Sequence, residues 1–155
     1  AIGGGHVTVA LTRLANVLGY RTIVVDPRRA FASKERFPHV DRLLATWPDE
    51  ALAALRITPA TAVALLSHDP KIDDPALRLA LASDAFYIGA LGSRRTHAQR
   101  RQRLLAAGVA EEALARVHAP VGLDLGAESP EEIALAVIAE IVAVWHGRRQ
   151  ENELW

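Results

Sequence analysis

Short apolar runs that alternate with helix-forming segments constrain the fold of this chain more than any other feature. Residues 22–26 (TIVVD), 61–66 (TAVALL) and 85–91 (AFYIGAL) carry the β-branched and aliphatic side chains of buried strands. Outside these runs, apolar residues recur at helical spacing, as they do from Val7 to Leu18. Strands and helices that alternate in this way form βαβ units. The sequence therefore predicts an α/β fold with a doubly wound parallel sheet and helices on both faces.

The start of the chain predicts that the first strand of this Rossmann-like sheet is truncated. A glycine-rich motif begins at the third residue, and only Ala1 and Ile2 precede it. Strands usually run about 5–6 residues. We therefore expect one domain, residues 1–155, that is a fragment of a longer chain. Its polar tail, residues 148–154, is expected to be loose.

Composition excludes several classes of function. The chain has no cysteine, which excludes disulfides, Fe–S clusters, thiolate zinc sites and cysteine nucleophiles. Eighteen Lys and Arg balance eighteen Asp and Glu, so net charge does not indicate nucleic acid or an anionic membrane as a partner. No apolar run approaches the ~20 residues of a membrane span, and no signal peptide is visible. We expect a cytoplasmic protein.

The first motif with chemical meaning is the glycine loop. Gly3, Gly5 and Thr8 form G-x-G-x-x-T, which brings a diphosphate to the backbone at a helix N-terminus, with His6 at the same rim. Asp26 follows 23 residues after Gly3, near the ~20-residue offset of the acid that binds a ribose hydroxyl. Arg28 and Arg29 would suit a 2′-phosphate, so NAD and NADP both remain open. The alternative is that the glycines only make the turn.

The second motif follows the run 61–66. Ser67, His68, Asp69 and Lys71 lie where a parallel sheet binds its ligands, beyond the carboxyl ends of its strands. His68 and Asp69 are therefore candidates for ligand contact or proton transfer. The alternative is a solvated polar turn that leads into a helix beginning at Pro75.

The third motif follows the run 85–91. Gly92, Ser93 and Arg94 combine a glycine, a hydroxyl and a guanidinium at the start of a helix, which favours a bound phosphate or another oxyanion. The later arginines of this helix are expected on a solvated face; they are Arg100, Arg101 and Arg103.

The fourth motif is the loop after the last strand. His118 and Asp124 lie in it with two glycines, and His118 is a third candidate for proton transfer. The alternative is a structural loop whose glycines adopt positive φ. No two histidines have metal-ligand spacing, so no metal site is predicted.

The last helix has two adjacent apolar stripes, which favour burial on more than one side. One interpretation is packing against its own sheet. The other is a subunit contact, which would make a homodimer. The stripes are Ile133, Val137, Ile141 and Val144, and Leu135, Ile138, Val142 and Trp145.

Taken together, these segments resemble the C-terminal Rossmann-type domain of the xanthine dehydrogenase accessory factors, the XdhC/CoxI family. The resemblance covers nearly the whole chain. It is carried by GGGHVTVALTRLANVLGYRTIVVDPRRAFASKERFP, LLSHDPKIDDPAL, AFYIGALGSRRTHAQRRQRL and VHAPVGLDLGAESPEEIALAVIAEI. This chain lacks the family's cysteine-bearing N-terminal portion, and it opens Gly-Gly-Gly-His where Gly-Ala-Gly-His is commoner.

The resemblance implies an accessory role rather than catalysis. Family members bind molybdenum cofactor and deliver it to molybdenum hydroxylases of the xanthine or CO dehydrogenase type, and a cysteine desulfurase is a further expected partner. By that reading, Ser93 and Arg94 hold the phosphate of molybdopterin. The polar ring of the cofactor would then lie against His68, Asp69, His118 and Asp124.

Two other functions stay open at this point. The fold also suits an NAD(P)-dependent oxidoreductase in which His68 or His118 carries a proton. It suits equally a nucleotide-sensing module whose ligand controls docking to a partner, because fold alone does not establish function.

Overall fold

The computed structural model describes residues 1–147, so the tail predicted to be loose lies outside the described residues. The strands, all parallel, are β1 (Ile23–Val25), β2 (Arg42–Leu44), β3 (Ala62–Leu65), β4 (Tyr87–Ala90) and β5 (Val117–His118). The helices are α1 (His6–Val17), α2 (Pro48–Ala54), α3 (Pro70–Leu81), α4 (Arg94–Ala106), α5 (Glu111–Leu114) and α6 (Pro130–Trp145). The predicted α/β parallel architecture is confirmed.

Ile2 joins the two halves of the sheet. It pairs in parallel with Val25 of β1 and with Leu65 of β3, which gives the order β2–β1–Ile2–β3–β4–β5. Its N–H donates to the Ala64 carbonyl at 2.8 Å, and its carbonyl accepts the Leu66 N–H at 2.7 Å. The chain leaves this central position toward β1 first and returns to β3 on the other side. The carboxyl ends at this switch point form the crevice in which such sheets bind ligands.

Two apolar layers cover the sheet. Alternate residues of β3 point to opposite faces: Val63 and Leu65 pack on the face covered by α2, α3, α4 and α5, and Ala64 on the face covered by α1 and α6. Both faces are therefore buried, which is the reason that the strands read as continuous apolar runs.

The start of α3 corrects the sequence prediction. We expected a polar turn up to Pro75, whereas the helix begins at Pro70. Asp69 accepts the Lys71 N–H at 2.9 Å as the N-cap, and Pro70 occupies the first position, where no N–H donor is required. Pro75 therefore lies inside the helix.

The last helix begins at Pro130, with Ser129 and Glu132 forming a capping box. Most residues of its two apolar stripes pack against the sheet and α1. Leu135 and Trp145 each remain 51% exposed. The subunit contact stays a prediction. Within residues 1–147, no helix has both the length and the apolar character that a bilayer span requires.

Candidate functional site

The glycine loop approaches the end of β3 so closely that only glycine fits. Gly3 has a φ of +96°, and a Cβ there would lie 2.7 Å from backbone atoms of Ser67. Thr8, larger than the usual third residue of such a motif, is fully buried and donates its hydroxyl hydrogen bond to the Gly3 carbonyl. The threonine therefore stabilises the turn rather than disturbing it.

The N-terminus of α1 is open. Gly5 is the N-cap and offers no side chain to the first N–H groups, and the first turn carries no acid. A Cβ at Gly5 would meet no heavy atom within 4 Å, and the neighbouring His6 is exposed. Unpaired N–H groups and the helix dipole make such an end attractive to an anion.

Asp26 and Arg28 form a closed ion pair at the end of β1. Asp26 is fully buried, and its Oδ1 and Oδ2 accept hydrogen bonds from Nε and Nη2 of Arg28 at 2.9 and 2.7 Å. The same two oxygens accept the backbone N–H groups of Arg28 and Gly4 at 2.9 and 2.8 Å. Burial alone would raise the pKa of Asp26, but the hydrogen bonds from Arg28 and Gly4 outweigh it and lower that pKa.

The segment after β1 lies over this pair and over the glycine loop. The Arg28 guanidinium stacks 4.0 Å from the centroid of the Phe31 ring. The Phe31 carbonyl is so close to Gly4 that a Cβ there would lie 2.4 Å from its oxygen. Arg36 donates from Nε to the Gly4 carbonyl at 3.2 Å. This segment therefore closes over the glycines.

Beyond β3, the residues of the second motif have separate positions. Ser67 donates its Oγ hydrogen bond to Oδ1 of Asp73 at 2.6 Å. His68 is exposed and has a φ of +64°, a left-handed conformation uncommon outside glycine. Asp69 caps α3. Burial raises the pKa of Asp73, although Ser67 and Arg100 oppose that rise.

Beyond β4, the third motif forms a helix N-terminus. Gly92 has a φ of +135°, and a Cβ there would lie 3.0 Å from Cγ2 of Thr96. Ser93 is the N-cap of α4 and accepts the Thr96 N–H at 3.2 Å. Arg94, the first residue of the helix, is exposed. The hydroxyl of Ser93 therefore has a structural partner, while the guanidinium of Arg94 faces solvent.

Arg100 corrects the prediction of a solvated face. It is only 2% exposed; its Nη2 donates to the Leu91 carbonyl at 3.0 Å and lies 3.5 Å from Oδ2 of Asp73. Its Nε and Nη1 are buried without a hydrogen-bond partner, as is Nδ1 of His97. The physical reason is register: Arg100 precedes the buried Leu104 by one turn, so it lies on the buried stripe of α4. Arg101 and Arg103 do lie at the surface, where they pair with Glu111 and Asp74.

The fourth motif belongs to a different part of the molecule. His118 stacks on the Tyr87 ring with centroids 4.7 Å apart, and its Nδ1 lies 3.2 Å from Oε1 of Glu140. Oε2 of Glu140 accepts hydrogen bonds from the Tyr87 hydroxyl at 2.6 Å and the Gly122 N–H at 2.9 Å. Burial, followed by the charge of Glu140, raises the pKa of Tyr87 well above its usual range.

A cleft of about 880 Å³ lies beside this cluster. His118, Asp124 and Glu140 line it together with Arg116, whose guanidinium donates to carbonyls at the end of α3 and the loop after it. None of the residues that line this cleft comes from the glycine loop or from the motifs beyond β3 and β4.

The structure thus brings three of the four predicted motifs together. Gly3 contacts Ser67, and the Asp73–Arg100 pair links α3 to α4. The pKa of Arg28 is raised chiefly by its hydrogen bond to Asp26. The charges of Asp69 and Asp73 raise it further. Within residues 1–147, no group of three or more His, Asp and Glu side chains is placed to hold a metal ion. The chemistry that this edge offers is recognition of an anion by N–H groups and guanidinium groups.

Sequence reasoning missed three residues of these clusters: Asp73, Arg100 and Glu140. Asp73 and Glu140 each lie on the apolar stripe of a helix, where a charged residue is unusual, whereas Leu104 is the one other buried residue of α4 beside Arg100. Asp73 precedes the buried Leu77 by four positions, and Glu140 lies between the buried Val137 and Ile141. A charged residue at a core position is the signal that would have found them, because such a residue needs a partner.

Comparisons with known proteins agree with this architecture. The model of a family described as the XdhC Rossmann domain matches residues 1–141. A probable xanthine dehydrogenase subunit from Bacillus subtilis is 35% identical over 140 residues, which are 90% of this chain and 40% of that protein. PaoD, a molybdenum cofactor insertion chaperone of Escherichia coli, is 42% identical over 94 residues, which are 61% of this chain and 30% of PaoD.

A solved structure has the same fold. The crystal structure of a xanthine dehydrogenase from Bacillus halodurans superposes with a TM-score of 0.81 at 30% identity, over 98% of this chain and 43% of that one. This chain therefore spans less than half the length of each of these three relatives. The family match over residues 1–141 includes every candidate motif, and the chain belongs to the XdhC family, whose Rossmann domain it contains.

Proposed function

We propose that this domain is part of a chaperone that holds molybdenum cofactor and delivers it to a molybdenum hydroxylase. The observation that carries the proposal is the cluster of anion-binding groups at the carboxyl edge of the sheet, in a chain similar to a named cofactor insertion chaperone. The role is that of a carrier, so the residues bind and shield rather than catalyse.

The side chains at this edge fit the phosphate of molybdopterin. The N-terminus of α1 has free N–H groups, and Arg94 is exposed at the start of α4. On the same helix as Arg94, Nε and Nη1 of Arg100 are buried without a partner, and an unsatisfied buried donor is costly unless a ligand or water completes it. A phosphomonoester supplies acceptor oxygens for both backbone N–H groups and guanidinium groups.

The roles of individual residues follow from this placement. Arg94, with the N–H groups beside Ser93, is proposed to hold the phosphate at the entrance. His68 and Asp69, beyond β3, are proposed to contact the polar ring of the cofactor. His118 and Asp124 line the separate cleft of Glu140, so a cofactor at the carboxyl edge would have to extend toward that cleft to reach them.

Two kinds of enzyme suit this function as partners: one that receives the cofactor and one that supplies its sulfur. A hydroxylase of the xanthine or CO dehydrogenase type is the proposed recipient. A cysteine desulfurase is proposed as the source of sulfur for the sulfurated cofactor. We propose that the protein carries the cofactor as a homodimer. The subunits would meet through the exposed part of α6, at Leu135 and Trp145.

The experiment measures cofactor retention by the intact polypeptide. The Arg94→Ala variant is expected to release molybdopterin at least tenfold more readily than the wild type, because one charge-assisted hydrogen bond contributes roughly 1.5–3 kcal/mol. Bound pterin after gel filtration is the readout, and reconstitution of an apo-dehydrogenase is the second.

Arg101→Ala is the matched control, since Arg101 lies on the same helix but pairs with Glu111. Equal retention by wild type, Arg94→Ala and Arg101→Ala would refute the phosphate assignment. Absence of pterin from the wild-type protein, together with no effect on reconstitution, would refute the chaperone function.

A further inference from the structure

The Asp26 carboxylate has no free acceptor position. A carboxylate has about four lone-pair sites. Oδ1 accepts from the N–H and Nε of Arg28, and Oδ2 accepts from the Gly4 N–H and Nη2 of Arg28. All four sites are therefore occupied by groups of the protein itself, and the carboxylate is completely buried.

This carboxylate occupies the position that reads ribose in a dinucleotide-binding sheet. There, an acid at the end of the second strand accepts hydrogen bonds from the ribose hydroxyls while the diphosphate lies on the glycine loop. Two neutral O–H donors would have to displace a cationic, bidentate fork from the same oxygens. Charge-assisted, bidentate hydrogen bonds are the stronger kind, so the exchange is unfavourable.

The surroundings of Arg28 hold it in place. Its guanidinium lies on Phe31 at 4.0 Å, and the carbonyl of Phe31 covers Gly4. The Arg36 guanidinium, 5.6 Å from the same ring, donates to the Gly4 carbonyl. The loop, the ring and the two arginines therefore close the ribose side of the glycine loop, while the N-terminus of α1 stays open at Gly5.

We infer that Arg28 is a specificity-determining residue that closes the ribose position beside Asp26, so that this glycine loop accepts a phosphate or diphosphate but gains nothing from a nucleotide ribose. The ligand class is an anion without a ribose at Asp26, which excludes NAD, NADP and ADP-ribose in the usual dinucleotide pose. The inference stands on the Asp26 geometry alone and does not rest on the cofactor proposed above.

The test compares ADP-ribose with inorganic pyrophosphate by isothermal titration. Both carry the diphosphate, and only ADP-ribose carries the riboses. In the wild-type protein, we expect ADP-ribose to bind no more than about threefold tighter than pyrophosphate. In Arg28→Ala, the freed carboxylate should raise that preference at least tenfold, and adding Asp26→Asn to this variant should abolish the gain.

Arg29→Ala is the matched control, because it removes an exposed neighbouring arginine and should leave the wild-type preference unchanged. Arg28→Gln is the second variant, used if Arg28→Ala does not fold, since it removes the charge and the fork but keeps most of the side chain. A wild-type protein that prefers ADP-ribose tenfold or more overturns the inference without any variant. So does an unchanged preference, or no ADP-ribose binding, in folded Arg28 variants. None of these outcomes bears on retention of a pterin, which is measured separately.

Discussion

Arg100 and Asp73 form a buried ion pair between α4 and α3, with Nη2 and Oδ2 3.5 Å apart and side chains only 3% and 1% exposed. The pair connects the loops beyond β3 and β4, because Asp73 also accepts from Ser67 and Arg100 also donates to the Leu91 carbonyl. The second and third motifs, beyond β3 and β4, are thus held together by Asp73 and Arg100, which belong to neither motif.

Arg100→Met should destabilise the domain strongly. Removing one partner of a buried pair leaves the other charge uncompensated, which costs roughly 3–5 kcal/mol. Urea unfolding at pH 7 is the measurement. Arg101→Met is the control and should cost no more than about 0.5 kcal/mol, since Arg101 is 43% exposed. The double variant Asp73→Leu/Arg100→Met should recover part of the loss, and equal effects of the two single arginine variants would contradict the prediction.

The glycine loop should tolerate alanine at one position and not at another. Gly3→Ala places a Cβ 2.7 Å from the Ser67 backbone at a φ of +96°, and we expect a loss of about 3 kcal/mol or more from overpacking and backbone strain. Gly5→Ala meets open space, and should cost less than about 1 kcal/mol as an N-cap change. Thermal and urea unfolding of both variants test this. Similar losses would show that close approach to β3 is not what requires Gly3.

Acid should remove the stabilisation that Glu140 provides. Burial would raise its pKa, but hydrogen bonds from His118, Tyr87 and the Gly122 N–H outweigh burial and hold the pKa below the ordinary 4.5. A carboxyl group whose pKa is lowered by folding stabilises the fold above its unfolded pKa and loses that contribution as pH falls through the folded value.

Glu140→Gln should therefore be less stable than wild type at pH 7, with a difference that shrinks as pH falls below 4.5. Urea unfolding across this range is the measurement. The exposed Glu35→Gln serves as control and should follow the wild-type curve. A Glu140→Gln deficit that is constant with pH would contradict the assignment.

The left-handed backbone at His68 should discriminate between substitutions. With a φ of +64°, His68→Val should cost about 1–2 kcal/mol, because an L side chain strains this conformation and a β-branched one strains it most. His68→Gly should stay within about 1 kcal/mol of wild type while removing the imidazole. Equilibrium unfolding compares the two, and equal stabilities would mean that the turn relaxes in solution. His68→Gly then tests the ligand role of the imidazole on a folded protein.

Sequence patterns predicted most of the elements because their signals are local. The helical spacing of apolar residues from Val7 to Leu18 is an example, since α1 occupies nearly the same residues. Strands β1, β3 and β4 were found by their apolar character, because a strand buried on both faces has little room for polar residues. The signal for the start of α3 is also local, because Asp69 followed by Pro70 is typical of a helix N-terminus. It was missed because these residues were interpreted as part of a polar turn.

The sequence by itself determined the class of the fold, the alternation of strands and helices along the chain, and the family to which the chain belongs. Tertiary structure alone decided which motifs meet. Gly3 and Ser67 come together through the pairing of Ile2 with β3, and His118 is directed toward Glu140 instead of the carboxyl edge. It also decided that Asp26 faces Arg28 and that Arg100 is buried. The physical reason is that local patterns specify hydrogen bonds within a turn or strand, whereas the partner of a buried charge is set by distant segments that pack beside it.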